Sequence, residues 1–178
     1  NQLKIKKFDL FNEFSKAKLD ITNILIKKIP RKSMIFLHSI NNILFESVLI
    51  LAKSKEATLI FLDSHPQKFG NAMHKSFKNH NIKHLQFSDL QMNNAISKSD
   101  FCLIGVDAIK KNGNAIVKTG TKTALKVANE LHTKTYLIAN TWGIDTQNNA
   151  NQLFNQNTQT DMKYEEIIKP IETYITEQ

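Results

Sequence analysis

One cysteine, one arginine and one tryptophan in 178 residues (Cys102, Arg31 and Trp142) close several routes before any motif is considered. A lone cysteine cannot form an internal disulfide and fits a reducing compartment. His74, His80, His84 and His132 follow no metal-ligand spacing and have no cysteine or acidic cluster beside them, so no metal is expected. No apolar run approaches the roughly 18 residues of a membrane span. No basic-then-apolar leader opens the chain, which starts at Asn1 as a trimmed or excised chain would. A soluble, cytoplasmic protein with no membrane contact is the expectation. No Gly-x-Gly-x-x-Gly follows the first apolar run, which argues against a dinucleotide, and no cofactor is expected.

What the chain has in plenty is lysine. The net charge of +8 comes almost wholly from it. A basic balance favours anionic partners such as phosphates, acidic proteins or RNA. The lysines are scattered, as at Lys4, Lys6, Lys7, Lys16, Lys18, Lys27 and Lys28, and no basic run interleaves with exposed aromatics. Scatter of that kind reads as solvated helix faces, so a nucleic-acid role is not expected.

Hydrophobic periodicity sets the organisation. Residues 3–29 read as one long helix, with Phe8, Phe11 and Phe14 on one side, then Ile21, Ile24, Leu25 and Ile29; Pro30 ends it. Strands are expected at 33–38, 57–63, 84–88, 100–106 and 135–140, and helices at 41–55, 67–80, 89–97 and 119–132, with Asp89 as an N-cap. Asn112-Gly113 signals a hairpin over 108–118. Residues 146–160 are polar and read as a loop, and a last helix is expected at about 163–176. Strands this apolar are buried on both faces, which implies an α/β fold with a mostly parallel sheet and helices on both faces. At this length the chain buries about 70% of its unfolded surface, enough for one core.

Ligands of open α/β sheets bind outside the carboxyl ends of the strands. Polar groups stand at each such end here: His38-Ser39, Asp63-Ser64-His65-Pro66, Ser88-Asp89, Gly105-Val106-Asp107 and Asn140-Thr141-Trp142-Gly143. Asp107 reads as a carboxylate that moves protons or holds a sugar hydroxyl, or as a turn residue. Lys118, just before the helix start at Gly120-Thr121, reads as a phosphate point charge or as an exposed lysine. Cys102 sits within a core strand and reads as packing rather than as a nucleophile. Trp142 walls a pocket or caps the core.

Six motifs in order make residues 33–178 resemble the carboxyl-terminal domain of the translation initiation factor 2B α/β/δ family. That family includes methylthioribose-1-phosphate isomerase and ribose-1,5-bisphosphate isomerase. Its Leu-Thr-His-Cys or Thr-His-Ser strand end is similar to Phe36-Leu37-His38-Ser39, and its Glu-Thr-Arg-Pro or Glu-Ser-Arg-Pro loop to Asp63-Ser64-His65-Pro66. Asp89 matches the aspartate after the third strand. Gly-Ala-Asp, the Asn-Gly turn and Asn-Lys-x-Gly-Thr are matched by Gly105-Val106-Asp107, Asn112-Gly113 and Val117-Lys118-Thr119-Gly120-Thr121. Asn157 to Asp161 and Ile175-Thr176-Glu177 resemble the family's closing motifs.

The resemblance implies a Rossmann-like domain over 31–178 preceded by an amino-terminal helix over 1–30. It implies ligand contacts from His38, Ser39, His65, Asp107, Lys118, Gly120 and Thr121. The family's isomerases place a catalytic cysteine where Ser39 stands, paired with the aspartate matched by Asp107. A hydroxyl is a far weaker acid than a thiol. His65 replaces the family arginine, Val117 replaces an asparagine, and about 30 residues stand where the isomerases carry a larger helical domain. The first expectation is therefore a non-catalytic regulatory or protein-binding domain, a homodimer with a translation-factor partner, that senses a phosphorylated small molecule (a sugar phosphate or nucleotide). The alternatives are an aldose-ketose isomerase of a phosphorylated pentose working through Asp107, and a generic nucleotide-binding domain.

Overall fold

The computed structural model describes residues 2–65, 68–139, 144–145, 164–167 and 174–175, with side-chain detail for 12–65, 68–139 and 144. Helix α1 (Gln2–Lys28) ends two residues before Pro30, which cannot supply the amide hydrogen a further turn needs. Strand β1 (Met34–His38) and helix α2 (Asn42–Lys55) follow, then β2 (Thr58–Leu62), α3 (Phe69–Asn79), β3 (His84–Phe87), α4 (Met92–Ser97) and β4 (Phe101–Gly105). After the hairpin β5 (Ala108–Lys110) and β6 (Ala115–Lys118) come α5 (Thr121–Glu130) and β7 (Lys134–Ile138). The short strands β8 (Ile144–Asp145), β9 (Tyr164–Ile167) and β10 (Tyr174–Ile175) complete the described elements.

The main sheet has the order β10-β7-β4-β1-β2-β3, and every neighbouring pair in it is parallel. Its strands are continuous apolar runs because both faces are covered. On one face α1, α2 and α3 pack over Ile35, Leu37, Leu59 and Phe61; on the other, α4 and α5 pack over Phe36, Ile60 and Cys102. This confirms an α/β, Rossmann-like arrangement. The amino-terminal helix is part of the core: Ile21, Leu25 and Ile29 are at most 1% exposed and lie against α2. Each such side chain contributes about 1.5–3 kcal/mol through burial.

Two expectations are corrected here. The segment 163–176 holds strands β9 and β10 where a helix was expected. Pro170 falls in the middle of that segment and forbids a continuous helix, while Tyr164 to Ile167 pair antiparallel with β6. Asp89 is not the N-cap of the following helical segment; Ser88 is, in a capping box with Gln91, and Asp89 begins a single 3-10 turn before α4. The hairpin over 108–118 is present, but it is the middle of a second sheet with the order β8-β5-β6-β9. The expected loop at 146–160, the strand end at Asn140 to Gly143 and the motif from Asn157 to Asp161 lie outside the described residues. Among the described residues no helix is long and apolar enough to cross a membrane.

Candidate functional site

Because the main strands are parallel, the ends of β1, β2, β3 and β4 meet at one edge, where β6 and the start of α5 join them. A cavity of about 440 Å³ opens there. His38, Ser39, Ser64, His65, Asp89 and Lys118 stand on its wall, together with Gly120. Phe45, Phe69, Met73 and Met92 line the rest and make part of the cavity apolar. Of the residues expected at the site, Asp107 and Thr121 do not line the cavity but hold residues that do.

Asp107 sits behind Lys118. Both carboxylate oxygens accept from Lys118 Nζ, at 3.1 and 3.0 Å, and each side chain is 18% exposed. Burial raises the Asp107 carboxyl above its usual range, and the Lys118 ammonium partly offsets that rise by charge and hydrogen bonding. The hairpin explains the pairing, since Asp107 precedes β5, Lys118 ends β6, and the Asp107 amide donates to Ile116 O at 2.9 Å.

His38 is governed by a hydroxyl. Thr121 Oγ1 donates to Lys118 O at 2.6 Å, so toward His38 Nδ1, 3.1 Å away, it acts as acceptor. That accounting assigns the proton to Nδ1 and leaves Nε2 a bare acceptor. Nε2 faces Gly120: a side-chain carbon there would lie 3.3 Å from it. Gly120 also has φ +96, in the left-handed region that glycine tolerates. Burial is the largest influence on His38 and lowers it to about 4; the Asp89 carboxylate opposes this, and Lys118 reinforces it. The imidazole is neutral at pH 7.

Ser39, 5% exposed, accepts at Oγ from the Lys118 amide at 2.9 Å. Among the described residues no basic side chain hydrogen-bonds that hydroxyl. Its backbone is held by close approach to Gly105, where a side-chain carbon would stand 2.2 Å from Ser39 O. Asn41 fastens the same corner: Nδ2 donates to Val106 O at 3.0 Å, and Oδ1 accepts from the Leu44 amide at 2.9 Å as N-cap of α2.

The opposite wall is a second carboxylate. Asp89 accepts from the Ser64 and His65 amides, each at 2.9 Å, and from His65 Nδ1 at 3.0 Å. Burial alone would raise this carboxyl, but the two amides and the imidazole outweigh it and hold Asp89 below its usual range. His65 thus closes onto Asp89, with its side chain 56% exposed.

Away from the cavity, Cys102 is buried in β4 and its thiol is pushed up to about 12, which leaves it packing as expected. His84 Nε2 and His74 Nδ1 meet at 3.0 Å across β3 and α3, a contact the spacing did not suggest. Among the described residues no group of three or more potential ligands could hold a metal. Sequence reading missed Asn41 and the apolar wall. An asparagine before an apolar helical run was the available signal for the first, while Phe45, Met73 and Met92 look like any core positions.

The model of the Initiation factor 2 subunit family matches residues 4–174. A search of curated sequences finds no match. Among solved structures, the translation initiation factor eIF-2B of Pyrococcus horikoshii OT3 is 22% identical, with a TM-score of 0.73 over 80% of this chain and 52% of that one. The eIF2B delta subunit of Chaetomium thermophilum is 17% identical, with a TM-score of 0.77 over 99% of this chain and 61% of that one. The tetrameric eIF2B-beta2-delta2 complex from the same organism matches at 17% identity and a TM-score of 0.79, over 99% and 60%. The chain therefore spans 52–61% of the length of these neighbours.

Proposed function

The chain belongs to the Initiation factor 2 subunit family, and from that premise we propose a non-catalytic, eIF2B-related domain that binds a phosphorylated small molecule, a sugar phosphate or nucleotide, at the carboxyl edge. The observation that carries this reading is the cavity wall formed by Lys118, Gly120 and neutral His38. The ammonium and the start of α5 suit a phosphate. His38 Nε2 suits a ligand hydroxyl, and the apolar wall suits a ring. A serine that meets no base supports binding without turnover. The domain acts as a homodimer that docks a translation-factor partner in the cytoplasm, in keeping with the assembly named for the Chaetomium thermophilum neighbour.

Thermal unfolding with ribose 5-phosphate, adenosine monophosphate and inorganic phosphate tests the ligand. At 100-fold over Kd a ligand stabilises by about 2.7 kcal/mol, or about 5–11 °C for a chain of this size. That shift, lost in Lys118→Gln, is the expected result; no shift with any of the three overturns the reading. Sedimentation equilibrium checks the homodimer.

The second reading, an isomerase of a phosphorylated pentose, draws on Asp107. A carboxyl raised by burial and held to Lys118 is a reasonable proton carrier. Turnover of a phosphorylated pentose, abolished in Asp107→Asn, would establish it.

A further inference from the structure

Lysines that lie far apart in sequence are gathered by the fold. All strands of the main sheet run the same way, so their amino ends form the edge opposite the cavity. Across that edge, β7 opens at Lys134, Lys98 precedes β4, Lys32 precedes β1, Lys55 precedes β2 and Lys83 precedes β3. The strand register puts Lys83 level with Thr58 and Lys134 level with Phe101. One cation thus stands at the start of each of five neighbouring strands, in a row about 19 Å long at the usual strand spacing. Arg31 adds to the row, and Lys27, Lys28, Lys53 and Lys78 come from the last turns of α1, α2 and α3. Set against Glu56, Asp100 and Glu130, these ten cations leave an excess of seven positive charges at one edge, nearly the whole net +8.

Helix dipoles explain part of this, because cations are favoured at helix carboxyl ends. They account for Lys98, the C-cap of α4, as well, but not for Arg31, Lys32, Lys83 or Lys134, which lie outside any helical turn. Local acids do little to neutralise the row. Glu56 pairs with Arg31, and Asp100 Oδ2 accepts from the Met34 amide at 2.7 Å. Lys28 and Lys134 rest over the Tyr136 ring, at 5.7 and 5.5 Å from its centroid.

We propose that this edge docks the phosphate backbone of a nucleic-acid duplex without reading its sequence. A row of about 19 Å spans about four phosphates of one strand, because successive phosphates along a duplex strand lie roughly 6–7 Å apart. Among the described residues the large apolar side chains exposed at or near the edge are Leu131, at 38%, and Leu85 near the start of β3, at 40%, and they stand on separate elements. A protein partner would need buried apolar anchors that the edge does not offer. Tyr136, the aromatic ring beneath the lysines, is 2% exposed and cannot stack on a base. Lysine, a point charge rather than a fork, suits contact with phosphate over base recognition.

The test is fluorescence anisotropy of a short random-sequence DNA duplex at several salt concentrations. Binding should weaken linearly on logarithmic axes with a slope of roughly −4, since each phosphate neutralised adds about −0.9. Lys53→Gln, Lys83→Gln and Lys98→Gln together should flatten the slope by about 2.7. A control triple of equal charge on other exposed surfaces, Lys16→Gln, Lys75→Gln and Lys126→Gln, should leave it within about 0.5 of the wild type. Equal flattening by both triples would mean diffuse attraction, and the proposal fails. It fails too if the duplex does not bind at low salt, or if polyglutamate binds more tightly than the duplex, which would make the partner an acidic protein. Circular dichroism of both triples confirms that they are folded.

Discussion

At the carboxyl edge of the sheet, side chains are held in pairs: Lys118 on Asp107, both partly buried, and the more exposed His65 on Asp89. At the amino edge the same strands begin among lysines that face solvent. The two edges share one backbone and differ in how tightly charge is held in place. Where a charge is buried against a partner, geometry is costly to disturb and pKa values move; where it is exposed, stability is indifferent and only long-range attraction remains. The two proposed roles follow that difference: a small ligand held in a fixed place at one edge, a large anion attracted loosely at the other.

Four perturbations sharpen or break this contrast. Gly105→Ala should be the most damaging, because its new methyl would meet Ser39 O at 2.2 Å, a backbone atom that cannot swing away. A loss of roughly 3 kcal/mol is expected, read as a fall of about 6–12 °C in Tm. Lys118→Met comes next. It leaves Asp107 in a half-closed site without its cation, and the pair's 18% exposure tempers the cost of a fully buried pair. About 2 kcal/mol is expected by chemical denaturation.

Third is pH. Folded His38 titrates near 4 against an ordinary 6.5, so below 6.5 the unfolded chain takes up a proton that the folded one refuses. Its contribution is full above pH 6.5 and is lost progressively between 6.5 and 4. His38→Gln should flatten the Tm profile in that window. The two carboxylates act with opposite sign. Asp89, held low, stabilises above its ordinary 3.8 and loses that as pH falls. Asp107, held high, favours the acid side of 3.8 and loses stability as pH rises through its raised value. Asp89→Asn and Asp107→Asn should therefore tilt the acid limb in opposite directions. The smallest effect belongs to the amino edge: Lys53→Gln, Lys83→Gln and Lys98→Gln should each change stability by less than about 0.5 kcal/mol. If that triple cost as much as Lys118→Met, the contrast between the edges would be broken.

The elements carried by local pattern were legible in the sequence. Continuous apolar runs such as "TLIFL" and "FCLIG" identified buried parallel strands, and Pro30 marked the end of α1. What failed depended on partners distant in sequence. The strand Tyr164–Ile167 owes its form to pairing with β6, nearly 50 residues earlier, and its local pattern resembled a helix. Asp89 looked like a cap because serine and aspartate are adjacent there, and only the fold brings the amides of Ser64 and His65 to it. The candidate site was legible in its polar members through the strand-end rule, whereas its apolar wall was not. The lysine row was invisible for the same reason that it forms: at least one strand and one helix separate each member from the next.

Phosphorus NMR of ribose 5-phosphate in the presence of the protein at neutral pH tests the central claim in one spectrum. A shifted or broadened phosphate resonance that returns to its free position with Lys118→Gln is expected, with no new resonance on long incubation. A second resonance that grows with time, or a phosphate signal that the wild-type protein leaves unchanged, would contradict it.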